Sequence, residues 1–354
     1  MRSLFYFLAV YQAEERAMPL TRRQFVAGAA SAMTIPLFLP RKVWGANDTI
    51  NLALIGCGQR GRELQDLPPG ARWMFMNDCQ RGKAEKLANR HGAKVTRTVA
   101  QMLDDKSLDG VVVATVTHNL ARIAIQACMA GKDVYCEKPM ALTMEESKAC
   151  VRAARKYDRV FQAGTQARSL KPNETACRLL REGVMGKVKR AVVRHYDGMR
   201  LDHLPAHDQP DDLNWTRWLG PVQDFPFNQY YITESEGPGW VQFIHFHGGQ
   251  MTGWGSHAFD YVQWALGTDH IGPVEVTCHG DPDPGGEQKV TWQYANGTVL
   301  ECGNPAVPDH GVWFYCERGQ LNLDRNKFNI MPDGLREQVY KDLGPVRRTR
   351  EIAH

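Results

Sequence analysis

The chain has 354 residues, 43% of them hydrophobic and 23% charged, a balance that excludes disorder, a collagen-like chain and a disulfide miniprotein. The formal net charge is +4, and residues 1–45, with six basic and two acidic groups, carry all of it. The remaining chain is close to neutral, so it offers no basic footprint for nucleic acid, and it is long enough for about two domains with sizeable cores.

At the N-terminus, Thr21-Arg22-Arg23-Gln24-Phe25-Val26 precedes an alanine-rich apolar stretch that ends near Leu39, followed by Pro40-Arg41-Lys42. The stretch is short for a membrane span, and small residues follow at Gly45-Ala46. The segment resembles a twin-arginine export signal over residues 1–45, which implies passage of the folded protein to the periplasm through the twin-arginine machinery. An N-terminal membrane anchor facing the periplasm is the other reading. An exported enzyme meets no cytoplasmic coenzyme pool, so any nucleotide it used would have to stay tightly bound. The nine cysteines are odd in number, scattered and without a C-x-x-C pair, so neither a disulfide framework nor a structural zinc site is implied.

Residues 46–160 read as a nucleotide-binding domain. Thr49–Ile55 is a short apolar run suited to a buried parallel strand, and it leads into Gly56-Cys57-Gly58-Gln59-Arg60-Gly61 and a helix-compatible segment to Leu67. A second strand over Arg72–Met76 ends at Asp78, placed to meet a ribose 2′-hydroxyl. In this pattern Gly56 makes the tight turn, Gly58 admits the pyrophosphate to the backbone, and Gly61 lets helix and strand pack closely. The Asp78 carboxylate disfavours a 2′-phosphate, hence NAD, while Arg81 nearby keeps NADP open. A short helix over Val99–Leu103, a strand over Gly110–Ala114, a helix over Leu120–Ala130 closed by Gly131, and a strand over Asp133–Cys136 follow. Thr143-Met144-Glu145-Glu146 fits a capping box that opens a helix to about Tyr157. Alternating strands and helices imply a doubly wound parallel sheet with ligands at the carboxyl ends of its strands.

With Ala114-Thr115-Val116-Thr117-His118, Glu137-Lys138-Pro139-Met140, Gln162–Arg168, Trp218-Leu219-Gly220-Pro221 and Gly253-Trp254-Gly255-Ser256-His257-Ala258-Phe259-Asp260, the sequence resembles the Gfo/Idh/MocA oxidoreductase family. The wording of the last two segments resembles its exported, sugar-type branch. The resemblance implies an α/β Rossmann domain followed, over 161–354, by an α+β domain whose open, largely antiparallel sheet covers the nicotinamide and often serves in homo-oligomer contacts. In agreement, Lys189–Tyr196, Val274–His279, Lys289–Ala295 and Val312–Glu317 read as strands, with a hairpin turn at Asn296-Gly297. Two departures stand out: Gly253 holds a place where relatives often carry an aspartate, and the chain stops at His354 where they usually continue. A truncation of roughly 70–90 residues is therefore expected.

Oxidising a secondary alcohol needs a hydride acceptor, a base and a positive group for developing oxygen charge. The resemblance assigns the base to His257 and the positive group to Lys138. Gly56, Gly58, Gln59, Arg60, Gly61, Asp78, Thr115, His118, Glu137 and Lys138 are expected at the nucleotide, His118 as pocket wall rather than catalyst. Gln166, Arg168, Asp260 and Trp240 are candidate substrate contacts, although Gln162, Gln166 and Arg168 also suit a solvent-facing strand and Asp260 a solvated helix face. Trp215, Trp218, Trp240 and Trp254 suit either stacking on a sugar ring or core packing. His245, His247 and His257 lack a further carboxylate or cysteine at metal-ligand spacing, so no metal is expected. The composite expectation is an NAD(P)-dependent sugar or polyol oxidoreductase with a tightly bound cofactor. The alternatives are a glycoside-cleaving enzyme working by oxidation, elimination and reduction, and a nucleotide- or sugar-binding protein without catalysis.

Overall fold

A computed structural model describes residues 49–343 apart from 195–198, 223–224, 234–238, 281–287, 304–306 and 308–310. The twin-arginine-like segment and the carboxyl-terminal tail lie outside the described residues.

The first half alternates as the sequence predicts. β1 (Ile50–Ile55), α1 (Gln59–Glu63), β2 (Ala71–Asn77), α2 (Arg81–His91), β3 (Lys94–Val95), α3 (Val99–Leu103), β4 (Gly110–Val113), α4 (Thr117–Met129), β5 (Asp133–Glu137), α5 (Met144–Lys156) and β6 (Phe161–Gly164) build one domain. Its sheet is wholly parallel, in the order β3-β2-β1-β4-β5-β6. Both faces are buried, which explains the unbroken apolar runs of the central strands. On one side Ala53, Ile55, Val111, Val113 and Val134 pack with Leu120, Ile123 and Ala124 of α4. On the other, Leu54 and Met76 pack with Ala84 and Leu87 of α2. β6 adds to β5, so the parallel sheet runs past residue 160, and α1 ends at Glu63, four residues earlier than Leu67. α2 and β3 were missed because Arg81–His91 is strongly polar and β3 is only two residues long.

The second domain is built from α6 (Lys171–Arg181), β7 (Val188–Val193), α7 (Trp215–Leu219), α8 (Gln229–Ile232), α9 (Gly249–Gly253), α10 (Gly255–Leu266), β8 (Glu275–Gly280), β9 (Gln288–Gln293), β10 (Val299–Cys302), β11 (Gly311–Cys316), β12 (Gln320–Asp324), β13 (Phe328–Met331) and α11 (Asp333–Leu343). Its seven strands run β13-β12-β11-β7-β10-β9-β8 and are antiparallel except for the pair β7–β10. The turn between β9 and β10 carries Gly297 at φ +83°, as Asn-Gly predicts. One face of the sheet is covered by α6 and α10, where Cys177, Leu180, Tyr261 and Val262 meet Val193, Phe314 and Leu321. The stretch between β7 and α9 forms a third cluster, in which Trp215, Trp218, Phe225, Tyr231, Phe243 and Phe246 are buried together. Trp215 and Trp218 stack at 4.5 Å, so of the four singled-out tryptophans these two are core residues. Among the described residues no helix is long and apolar enough to cross a membrane, and no three potential metal ligands cluster.

The capping box at α5 is present in full, with Thr143 Oγ1 accepting from Glu146 N and the Glu146 carboxylate accepting from Thr143 N. Thr143→Ala should lower the unfolding free energy by about 1 kcal/mol with an unchanged denaturant slope, read from urea melts.

Candidate active site

One cleft of about 910 Å³ runs along the carboxyl edge of the first sheet and is closed by the second domain. Its floor is the glycine loop. Gly56 adopts φ +95° against β4, where any Cβ would run into the Ala114 carbonyl; a Cβ on Gly61 would run into the Gly56 carbonyl. Only glycine allows the loop to fold back this closely. Gly58, Gln59, Arg60 and Thr115 line the cleft, whereas Gly61 is buried beneath it.

At the end of β2, Asp78 accepts from Cys57 N at 2.6 Å and Gln80 N at 2.7 Å. Burial pushes its pKa up, opposed by these two hydrogen bonds and by the nearby Lys83 and Arg217. At the other end, after β5, Glu137 is buried and accepts from Arg60 Nε at 2.8 Å, the Tyr135 hydroxyl at 3.1 Å and Lys138 N at 3.1 Å. The Lys138 ammonium donates to the Gly253 carbonyl at 2.9 Å and lies 5.9 Å from the Trp254 ring centre. Burial holds its pKa below that of an ordinary lysine; Arg60 and Arg325 add to this and Glu137 opposes it. His257, on the first turn of α10 and buried, lines the same cleft.

His247 also lines it, packed edge-on to Trp240 at 5.2 Å and over Gly253, whose missing side chain makes room for the ring. Thr252 Oγ1 lies 3.3 Å from its Nδ1. Burial and the neighbouring Lys138 ammonium bring the His247 pKa down to about 4, so this imidazole is neutral in ordinary conditions. The sequence reading weighed His247 only as a metal ligand and missed its place here.

Three expected contacts lie elsewhere. His118 faces away from the cleft, into the aromatic cluster, with Nε2 2.8 Å from the Trp218 carbonyl and its pKa pulled down to about 4 by burial. Leaving β4, α4 starts at Thr117, so residue 118 already points along the helix side that carries the core. Arg168 and Asp260 satisfy each other instead of lining the cleft, through hydrogen bonds of 2.7–3.1 Å from the guanidinium, which also reaches Asp269 at 2.6 Å. Gln166 and Trp240 do line it.

The cleft fits a dinucleotide. Besides the bare backbone floor, two buried polar atoms of its lining residues have no hydrogen-bond partner among the described residues: Arg60 Nη2 and Gln166 Oε1. Such atoms cost free energy unless a ligand meets them.

Residues 50–165 match the model of the NAD-binding Rossmann fold of an oxidoreductase family, GFO_IDH_MocA, and residues 181–317 match that family's C-terminal alpha/beta domain. Inositol 2-dehydrogenase 2 of Saccharopolyspora erythraea is 26% identical over 85% of this chain and 79% of its own length. Levoglucosan dehydrogenase of Pseudarthrobacter phenanthrenivorans is 35% identical, over 39% of each chain. With several such curated relatives the match spans only 38–42% of their length. Among solved structures, the WlbA dehydrogenase of Bordetella pertussis, in complex with NADH and UDP-GlcNAcA, shares the fold with a TM-score of 0.58 at 16% identity, over 83% of this chain and 82% of that one. Since both halves of the family's architecture follow one another in this sequence and enclose its glycine loop in one cleft, the chain belongs to the Gfo/Idh/MocA oxidoreductases.

Proposed function

We propose that this protein is an NAD(H)-dependent oxidoreductase acting on a hydroxyl or carbonyl of a sugar or polyol, exported folded to the periplasm with its nucleotide bound. The observation that carries the reading is the meeting of Lys138, from the edge of the first sheet, with the Gly253 carbonyl in the cleft that His257 also lines. A bound nicotinamide supplies the hydride acceptor or donor. Gly56, Gly58 and the first turn of α1 offer backbone to its phosphates, Asp78 meets the ribose, and Arg60 and Gln166 line the same cleft.

The proton roles are those the family resemblance implies, and the surroundings of the other cleft groups support them. The three cleft-lining carboxylates are engaged: Glu63 by Arg60, Asp78 by two backbone N–H groups, and Glu137 by Arg60, Tyr135 and Lys138 N. Burial and the neighbouring Lys138 ammonium both lower the basicity of His247. His257 takes the proton from the substrate hydroxyl, while the Lys138 ammonium stabilises the developing alkoxide. The neutral His247 and the indole of Trp240 shape the substrate end. Homo-oligomerisation through the open face of the second sheet belongs to this proposal as well.

Denaturing the purified protein and weighing the released nucleotide tests the cofactor; an inositol and levoglucosan, which similar enzymes' names carry, are the first probes for a nicotinamide absorbance change. Aglycone release from a glycoside without net reduction would replace the dehydrogenase reading by the oxidation–elimination–reduction one. Lys138→Met should leave nucleotide affinity in place and lower kcat about 100-fold, the usual worth of a group that stabilises transition-state charge. The ammonium is charged below its depressed pKa and lost as pH rises through it. The alkaline limb of kcat/KM should accordingly fall at a lower pH than an ordinary lysine would give, and Lys138→Arg should abolish that limb in whatever activity it retains.

A further inference from the structure

The adenosine half of the cleft is not walled by the first domain alone. Residues 212–220, which belong to the second domain, run along it and are tied to three separate parts of the first. Arg81 N donates to the Asp212 carbonyl at 3.1 Å, and Asn214 N donates to the Cys79 carbonyl at 2.9 Å, with Gln80 and Leu213 paired between them. The segment thus lies as an added piece of strand against the loop that carries Asp78. Arg217 forks across two further points, Nη2 to Asn77 Oδ1 at 2.7 Å and Nη1 to the Arg97 carbonyl at 2.6 Å. Asn77 is itself fixed in the interior, its amide donating to Thr96 O and Oγ1. The Trp218 carbonyl then accepts from Asn119 Nδ2 at 2.7 Å and meets His118 Nε2 at 2.8 Å, and Gly220, at φ +56°, comes down on the Asn119 amide with no room for a Cβ. Thr216, Arg217, Trp218 and Gly220 line the cleft together with Asp78, Thr98 and Val99.

We infer that this segment is a strap which keeps the nucleotide resident through turnover, and that Arg217 is an adenosine-side binding residue through which the strap holds it. The inference rests on the nicotinamide reading above. A carboxylate at the end of β2 marks where the adenine ribose lies, and phosphates lie over the helix that follows the glycine loop. Arg217 therefore stands at the adenosine end: it lines the cleft, bonds to Asn77 next to Asp78, and its cation acts on the Asp78 carboxylate. Withdrawing the nucleotide past the strap breaks the charge-assisted hydrogen bonds of Arg217 and disturbs Trp215 and Trp218, which are buried in the aromatic cluster. A coenzyme held in this way is reoxidised or re-reduced in place by a second substrate, as an enzyme outside the cytoplasmic coenzyme pool requires.

The test uses the full chain, with NADH, AMP and reduced nicotinamide mononucleotide as probes. Release of NADH is followed on displacement by excess NAD, and the two half-molecules are titrated separately. Arg217→Ala is expected to speed NADH release by about tenfold or more and to weaken AMP by a similar factor, the loss of one charged hydrogen bond, while leaving the nicotinamide mononucleotide affinity unchanged. Should the alanine variant fail to fold, Arg217→Gln, which can keep one of the two hydrogen bonds but not the charge, is expected to show the same ordering. NADH release at the wild-type rate, or an equal loss of both half-molecules, overturns the strap and leaves the cofactor reading standing. No binding of NADH by the wild-type chain overturns the cofactor reading and the strap with it.

Discussion

The hydrogen bond from the Lys138 ammonium to the Gly253 carbonyl is the point on which the two domains of this molecule agree. One partner is placed by the end of β5 and the other by the end of α9, so the contact exists only when the parallel sheet and the second domain are docked as they are. A buried ammonium is costly unless its donors are met. A carbonyl meets one of them without cancelling the charge, and burial holds the pKa below that of an ordinary lysine. An aspartate side chain at position 253 would add an anion in this neighbourhood. Here glycine leaves the space to the ring of His247, which packs over residue 253 and is neutral. The electrostatics around Lys138 are thus set by an absence of side chain as much as by any side chain present.

The first sheet was legible because its strands obey a strong local rule: buried on both faces, they must be continuously apolar, and glycine, proline and capping residues punctuate them. The helix over Val99–Leu103 and the capped helix after Thr143 emerge with the boundaries their residues announce. α2 was illegible for the same reason in reverse, since only Ala84, Leu87 and Ala88 of its eleven residues are buried. In the second sheet β7, β8, β9 and β11 coincide with the strands read from the sequence, whereas β10, β12 and β13, of four or five residues each, are too short for an alternating pattern to mark them.

Site residues divide along a similar line. Those fixed by backbone geometry, Gly56, Gly61 and Asp78 at the end of a strand, could be placed by counting, because strand, turn and helix have fixed rises. Those whose role depends on which of several partners they meet could not. Arg168 and Asp260 are 92 residues apart and look like free polar groups in the sequence, yet they neutralise each other. His118 follows its strand at the right distance for the cofactor but falls on the buried side of α4. Arg217 lies between two tryptophans, a pattern that reads as core packing, and its fork reaches residues 120 and 140 positions away.

These pairings also determine what the cleft can do. A cation beside an alkoxide is effective only if no nearby carboxylate neutralises it first, and Glu137, adjacent to Lys138 in the chain, is the obvious competitor. Arg60 binds Glu137 at 2.8 Å, so that carboxylate is shared between two cations rather than given to Lys138 alone, while Nη2 of the same guanidinium is buried and has no hydrogen-bond partner among the described residues. The same guanidinium holds the Glu137 carboxylate in place and ties it to Glu63 on α1. In the function proposed above, this leaves the charge of Lys138 for the substrate oxygen and gives proton transfer to an imidazole rather than to a carboxylate. The sequence places Arg60 in the glycine loop for its phosphate-side position, but its second task depends on Glu137, which arrives 77 residues later.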